Sequence, residues 1–168
     1  EGQFDGLVGV AVSGGEVLVC DSGNHRIQVF GLDGSFVRQW GTFGAGEGQL
    51  EIPMSVAVSG GEVIVCDAGN HRIQVFGLDG SFARQWGTQG AREGQLQYPI
   101  DVAVSGVEVM VCDPSNRRIQ VFGLDGSFVR QWGTDYATGQ LKDLPKGVAV
   151  SDDGQVVVIY RSRVQIFS

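Results

Sequence analysis

The residue types in this chain that could carry out chemistry recur in three copies of one segment. In each copy an acid lies within six residues of an imidazole or a guanidinium group, and such a group could relay a proton to a nucleophile. The copies are Asp21, Asn24, His25 and Arg26; Asp67, Asn70, His71 and Arg72; and Asp113, Asn116, Arg117 and Arg118.

Repetition favours a structural role for this motif. A reaction needs one site, whereas the same group stands in several copies of the same backbone. Asn suits a tight turn, and the Arg at the head of one strand can pair with the Asp that ends the preceding strand. Ion-pair networks of this kind commonly resemble active sites. We therefore predict no catalytic residues and assign the Asp, Asn and Arg of each copy to the structure of the repeat.

The three cysteines, Cys20, Cys66 and Cys112, hold the same place in successive copies. Equivalent atoms of stacked sheets lie about 10 Å apart or more, beyond the roughly 4.4–6.8 Å between Cα atoms that a disulfide allows. We expect buried free thiols that act as small hydrophobic residues. Unpaired cysteines, together with the lack of a signal-peptide pattern in the first residues, favour an intracellular location.

No other motif predicts a cofactor or a metal ion. The glycine-rich segment "GTFGAGEG" at 41–48 resembles a phosphate-binding loop, but its later copies lose the glycines and no Lys-Ser or Lys-Thr pair follows. His25 and His71 have Arg117 as their third counterpart, so a set of four converging zinc ligands is absent from the pattern.

The whole chain is organised by the repeat. Units cover residues 1–46, 47–92, 93–137 and 138–168, and together they form one domain. Each complete unit contains four short runs rich in Val, Ile, Phe and Trp, which in the first unit lie at 9–13, 16–20, 26–30 and 36–40. Glycine-containing turns join these runs, as in a meander of antiparallel strands. The fourth unit stops after its third run.

The hydrophobic pattern predicts how these meanders pack. The second run of each unit is apolar at consecutive positions, which indicates burial on both faces, whereas the fourth run alternates apolar and polar residues. The fold class is therefore all-β, a β-propeller with three complete four-stranded blades and a fourth that lacks its outer strand. We expect Trp40, Trp86 and Trp132, at the rim, to cover the edge of a neighbouring blade.

The unit "GVAVSGGEVLVCDSGNHRIQVFGLDGSFVRQWG" resembles the NHL repeat, and the resemblance covers essentially the whole chain. It implies a propeller, commonly six-bladed, that serves as a rigid platform for proteins or RNA and is often attached to a ubiquitin-ligase module. Some similar proteins are enzymes that hold metal ions in the central channel. The missing initiator Met is expected of a segment of a longer protein.

Charge and composition narrow the possible partners. The net charge of −7 disfavours a sequence-independent hold on nucleic acid, and no run of residues is long and apolar enough to predict a membrane span. Proteins are therefore the expected partners of this chain. Because the fourth unit lacks a strand, we also expect self-association, unless the chain is part of a longer propeller.

Differences between the units predict where a partner binds. The loop that leads into the first strand and the loop between the second and third strands share one face of a propeller, and these loops vary most between units. The alternatives are a metal-dependent lyase or lactonase-like channel enzyme that uses Asp101, and RNA binding by a basic patch. The candidate binding residues are His25, Ser55, His71, Asp101, Arg117 and Lys146.

Overall fold

Fifteen β-strands and two single-turn 3-10 helices, Ser22–Asn24 and Pro114–Asn116, make up the regular structure of the described part of the chain. The structure is a computed structural model, which describes residues 3–133, 144–151 and 153–167. The first blade contains β1 (Leu7–Ser13), β2 (Glu16–Asp21), β3 (Arg26–Gly31) and β4 (Phe36–Trp40). The second contains β5 (Pro53–Ser59), β6 (Glu62–Asp67), β7 (Arg72–Gly77) and β8 (Phe82–Trp86). The third contains β9 (Asp101–Ser105), β10 (Glu108–Asp113), β11 (Arg118–Gly123) and β12 (Phe128–Trp132), and the fourth β13 (Pro145–Val150), β14 (Val156–Tyr160) and β15 (Val164–Phe167).

Each blade is an antiparallel sheet whose strands follow one another in sequence order. The first three sheets have four strands and the last has three, which confirms the predicted fold class and the incomplete fourth blade. The first strand begins at Leu7, two residues before the predicted start, because an irregularity between Leu7 and Gly9 lets the chain continue its pairing as far as Asp21. Among the described residues no helix is long and apolar enough to cross a membrane.

The hydrophobic core lies between consecutive blades. We call the face that a blade turns towards the next blade its forward face, and the opposite one its backward face. On the forward face of the first blade Leu18, Ile27 and Val29 are fully buried against Val56 and Phe76 on the backward face of the second. The same contact recurs between the second and third blades and between the third and fourth. Because the residues of this contact recur with the repeat, each blade packs on the next one in the same way.

The rims of the first two blades contact the turn between the third and fourth strands of the next blade. Trp40 lies so close to Gly80 that a Cβ atom on this glycine would stand 2.8 Å from the indole Cδ2. Beside it, Arg38 Nε donates a hydrogen bond of 2.9 Å to the carbonyl of Leu78, while its guanidinium pairs with Glu16. The prediction that the tryptophans cover a neighbouring edge is confirmed for this pair, and Trp86 against Gly126 repeats it.

The first and last blades leave one face each uncovered. The inner strands pack as β1 on β5, β5 on β9 and β9 on β13, but across the described strands no comparable packing joins β13 to β1. Val10 on the backward face of the first blade is 65% exposed, and Ile166 on the forward face of the fourth is 59% exposed. The four blades are thus arranged around an axis with an open seam between the two ends.

Candidate binding face

Each repeated Asp accepts hydrogen bonds at the centre of a buried polar network. In the second blade the Asp67 carboxylate accepts bonds from Asn70 Nδ2, from Arg72 Nε at 2.7 Å and from Gln74 Nε2 at 3.0 Å. The Asp67 side chain has no exposed surface. Hydrogen-bond donors of this kind offset the free-energy cost of burying a polar side chain. The third blade repeats the arrangement with Asp113, Asn116 and Arg118.

The first blade shows the electrostatic result of this network. Burial by itself would raise the pKa of Asp21. The backbone N–H of Asp5 and the side chains of Arg26, Asn24 and Gln28 donate hydrogen bonds to the ionised carboxylate and lower the pKa below its ordinary value. Asp21 is therefore charged at neutral pH because its neighbours stabilise that charge.

The guanidinium group of the motif extends the network to the linker between blades. Arg72 donates to the carbonyl oxygens of Ala45 at 2.7 Å, Gly46 at 2.9 Å and Gln49 at 2.9 Å. These carbonyls belong to an irregular segment that has no strand to satisfy them, so the arginine takes that role. The motif uses its donors and acceptors to hold the loop that brings the chain into the next blade.

Gln74 is a member of this network that the sequence analysis did not single out. Its Nε2 donates to the Gln49 carbonyl at 2.5 Å as well as to Asp67, and its Oε1 accepts from the Gly48 N–H at 3.0 Å. The available signal was the middle residue of "RIQVF", a polar side chain that recurs in the centre of an otherwise apolar strand.

His25 and His71 join consecutive blades through their ring nitrogens. The Nδ1 atom of His25 accepts a hydrogen bond of 3.2 Å from the Ile52 N–H, and that of His71 accepts one of 2.9 Å from the Tyr98 N–H. Both histidines have left-handed backbone conformations, with φ of 55° and 56°. Arg117 has the same backbone conformation in the third blade, and its side chain is exposed.

Asp101 ties three blades together near the axis. Its Oδ1 atom accepts hydrogen bonds from Ser55 Oγ in the second blade at 2.7 Å and from the Val102 N–H at 3.0 Å. Its Oδ2 atom accepts from the Val148 N–H in the fourth blade at 2.8 Å. Both carboxylate oxygens thus accept hydrogen bonds that hold neighbouring blades together.

A cavity of about 440 Å³ opens at the axis beside these residues. Ser55, Asp101 and Lys146 line its polar side, and Val10 and Ile159 line the side that faces the open seam. The Lys146 side chain is exposed and places a cation beside the cavity. Within the described ranges no group of three His, Cys, Asp or Glu residues is arranged to hold a metal ion.

The cysteines lie behind the cavity, inside the stacked sheets, where strand pairing sets Cys66 opposite Ser55 and Cys112 opposite Asp101. Cys20, Cys66 and Cys112 are buried and unpaired, which confirms the predicted free thiols. Burial raises the pKa of each thiol well above its ordinary value. The thiolate required of a nucleophile is therefore strongly disfavoured at these positions.

The structure divides the six candidate binding residues into two groups. Four of them are partly or fully buried and hydrogen-bonded to the next blade: His25, Ser55, His71 and Asp101. The other two, Arg117 and Lys146, are exposed on the loop face, the face formed by the loops between blades and the loops between the second and third strands. The sequence predicts that all six residues lie on one face of the propeller. It does not indicate which of them form hydrogen bonds between blades.

Comparison with known proteins identifies the repeat. The sequence model of the NHL repeat matches residues 4–30 and 50–76. The RING finger protein nhl-1 of Caenorhabditis elegans is 65% identical over 40 residues, which are 24% of this chain and 4% of that protein. Protein brain tumor of Drosophila melanogaster is 45% identical over 51 residues, 30% of this chain and 5% of that protein. The matched segments are a small part of these relatives.

Solved structures agree with the fold. The computationally designed Ika4 protein superimposes with a TM-score of 0.69 at 18% identity, covering 99% of this chain and 93% of the designed one. Virginiamycin B lyase from Staphylococcus aureus superimposes with a TM-score of 0.67 at 16% identity, covering 99% of this chain and 57% of the lyase. At such identities the likeness concerns the fold alone.

Proposed function

Because the chain belongs to the NHL-repeat β-propellers, we propose that it is a non-enzymatic platform that binds protein partners. The partner would bind the loop face, which is formed by the loops between blades and the loops between the second and third strands. The supporting observation is that the repeated polar motif is engaged within the fold, while two exposed cations stand where the blades differ: Arg117 in the loop between β10 and β11, and Lys146 at the irregular start of β13.

Protein fits this face better than nucleic acid. Arg117 and Lys146 share this face with three further exposed cations of its described loops, Arg92, Arg161 and Arg163. On a chain of net charge −7 this local positive charge would attract an acidic segment of a folded or extended partner. The net negative charge of the chain disfavours a sequence-independent hold on a phosphate backbone. Association of the chain with itself would use another surface, the uncovered faces of the first and last blades.

Selection from a random peptide library tests the proposal. Peptides selected on the unmodified chain are measured against Arg117→Ala/Lys146→Ala and against Leu32→Ala/Val107→Ala, a matched pair of truncations in turns of the opposite face. We expect the first pair to weaken binding by about tenfold or more, as loss of central contacts does, and the second pair to leave it unchanged. Ser55 and Asp101 are unsuitable for this purpose because they also hold the blades together.

Three results would contradict the proposal. If Leu32→Ala/Val107→Ala abolishes peptide binding, the binding site lies on the opposite face, which is formed by the turns that contain Leu32 and Val107. If the peptides bind both double variants as tightly as the unmodified chain, the binding site lies on neither of these faces. Tight binding to a random RNA pool, falling steeply with salt concentration, would indicate an RNA-binding propeller instead.

A further inference from the structure

We propose that two copies of this chain assemble head to tail into an eight-bladed ring, the forward face of each fourth blade packing on the backward face of the first blade of the other copy. This interaction is distinct from the proposed binding of partners to the loop face. It follows from what the two uncovered faces contain.

The uncovered face of the first blade is a copy of a face that is buried elsewhere in the same molecule. Val10 is 65% exposed, while Val56, its counterpart in the second blade, is 5% exposed. Five more residues of the first blade are identical to those 46 positions later, which form the backward face of the second blade: Val12, Val17, Val19, Phe30 and Phe36.

The uncovered face of the fourth blade matches the other half of the same contact. Strand pairing places Ile159, Val164 and Ile166 at the positions that Cys20, Ile27 and Val29 occupy in the first blade. The first three are 45%, 62% and 59% exposed, whereas their counterparts are fully buried beneath the second blade. One chain thus presents both halves of an interface that it already forms three times internally.

A second copy is the occupant that satisfies both faces at once. In a pair related by a two-fold axis, each forward face meets a backward face and no apolar face remains uncovered. Two copies give eight blades, at the upper end of the roughly four to eight blades that propellers typically contain. Three copies would exceed that range, and an arrangement that does not close would grow into a filament.

The contact between copies lacks one part of the contacts within a chain. Trp40 and Arg38 of β4 fasten the first blade to the turn of the second, but the described fourth blade ends with β15 and has no such strand. Gly34, in the corresponding turn of the first blade, accordingly has open space where Gly80 has the indole ring. The association should therefore be weaker than the internal contacts and should depend on protein concentration.

Light scattering and sedimentation of the unmodified chain over a concentration series test the proposal. We expect a monomer at low concentration that converts to a dimer and goes no further. Val10→Arg and Ile166→Arg should each weaken the dimer by at least about a hundredfold, because each dimer would bury two unpaired guanidinium groups. Val107→Arg is the matched control, since Val107 is 73% exposed in a turn away from both faces. It should leave dimerisation unchanged.

Circular dichroism and thermal unfolding establish that the three variants fold. Because Val10 and Ile166 are exposed in the single copy, we expect their unfolding at low concentration to match that of the unmodified chain. A chain that stays monomeric at every concentration would overturn the proposal. So would a dimer that survives Val10→Arg and Ile166→Arg, because its interface would lie elsewhere, or growth into open oligomers without a limiting mass.

Discussion

At the scale of single residues, one turn glycine has a packing role that its counterpart in the first blade lacks. Gly80 and Gly34 both have left-handed backbones, with φ of 87° and 81°, so an alanine is strained at either position. Only Gly80 also lies against the indole of Trp40. We predict that Gly80→Ala lowers the free energy of unfolding by about 1–3 kcal/mol more than Gly34→Ala, the usual cost of overpacking.

Urea unfolding of the two variants measures this difference, since the shared backbone strain cancels in the comparison. Equal losses of stability would mean that the tryptophan moves aside without cost and that the rim contact contributes little.

The thiols provide a second test at this scale. Burial raises the pKa of Cys20, Cys66 and Cys112, and only the thiolate attacks a disulfide reagent. We predict that none of the three reacts with an aromatic disulfide reagent at neutral pH in the folded chain, whereas all three react in urea. Absorbance of the released thiolate measures the reaction. A thiol that reacts quickly in the folded protein would contradict the burial described for it.

At the scale of the structural element, the Asp-centred network determines where each linker lies. Removing Asp67 would leave the guanidinium of Arg72 buried without its carboxylate. We predict that Asp67→Ala lowers the free energy of unfolding by about 3–5 kcal/mol, the usual cost of breaking a buried ion pair. Asp79→Ala is the control, because Asp79 accepts its hydrogen bonds from Ser81 in an exposed turn. A smaller effect at Asp67 than at Asp79 would show that the linker is held by other contacts.

The elements also show what the sequence could and could not predict. The alternating run "FVRQW" and the glycine-rich turns identified β4 as Phe36–Trp40, because strand periodicity and turn conformation are local properties. The bond between Ser55 and Asp101 joins separate blades, so it depends on the angle and spacing at which sheets stack. The hydrogen bond that His25 Nδ1 accepts from the Ile52 N–H also links one blade to the next, so it depends on the same angle and spacing. Local patterns therefore predicted the blades, and the structure was needed to distinguish the free side chains from the engaged ones.

At the scale of the whole molecule, identical residues have different energetic roles according to the blade they occupy. Val56 is buried between two blades and Val10 faces solvent. At concentrations where the chain is monomeric, we predict that Val56→Ala lowers the free energy of unfolding by about 2 kcal/mol and that Val10→Ala leaves it almost unchanged. Thermal and urea unfolding at low concentration provide the measurement. Similar losses at both positions would indicate that the seam between the first and last blades is closed in solution.

The contiguity of each blade has a consequence for how the molecule would respond to mechanical force. No strand of the described blades crosses into another sheet, so the blades are joined by the linkers, by side-chain packing and by hydrogen bonds that involve side chains, with no strand pairing between them. If the chain is stretched from its two ends, we therefore expect whole blades to detach and unfold one after another. The end blades, each held on one face, would detach before the two inner blades, which are held on both. Since an extended residue spans about 3.3–3.6 Å, each complete blade would release a length of roughly 150 Å, and an extension trace would show three nearly equal steps and a shorter one from the three-stranded blade.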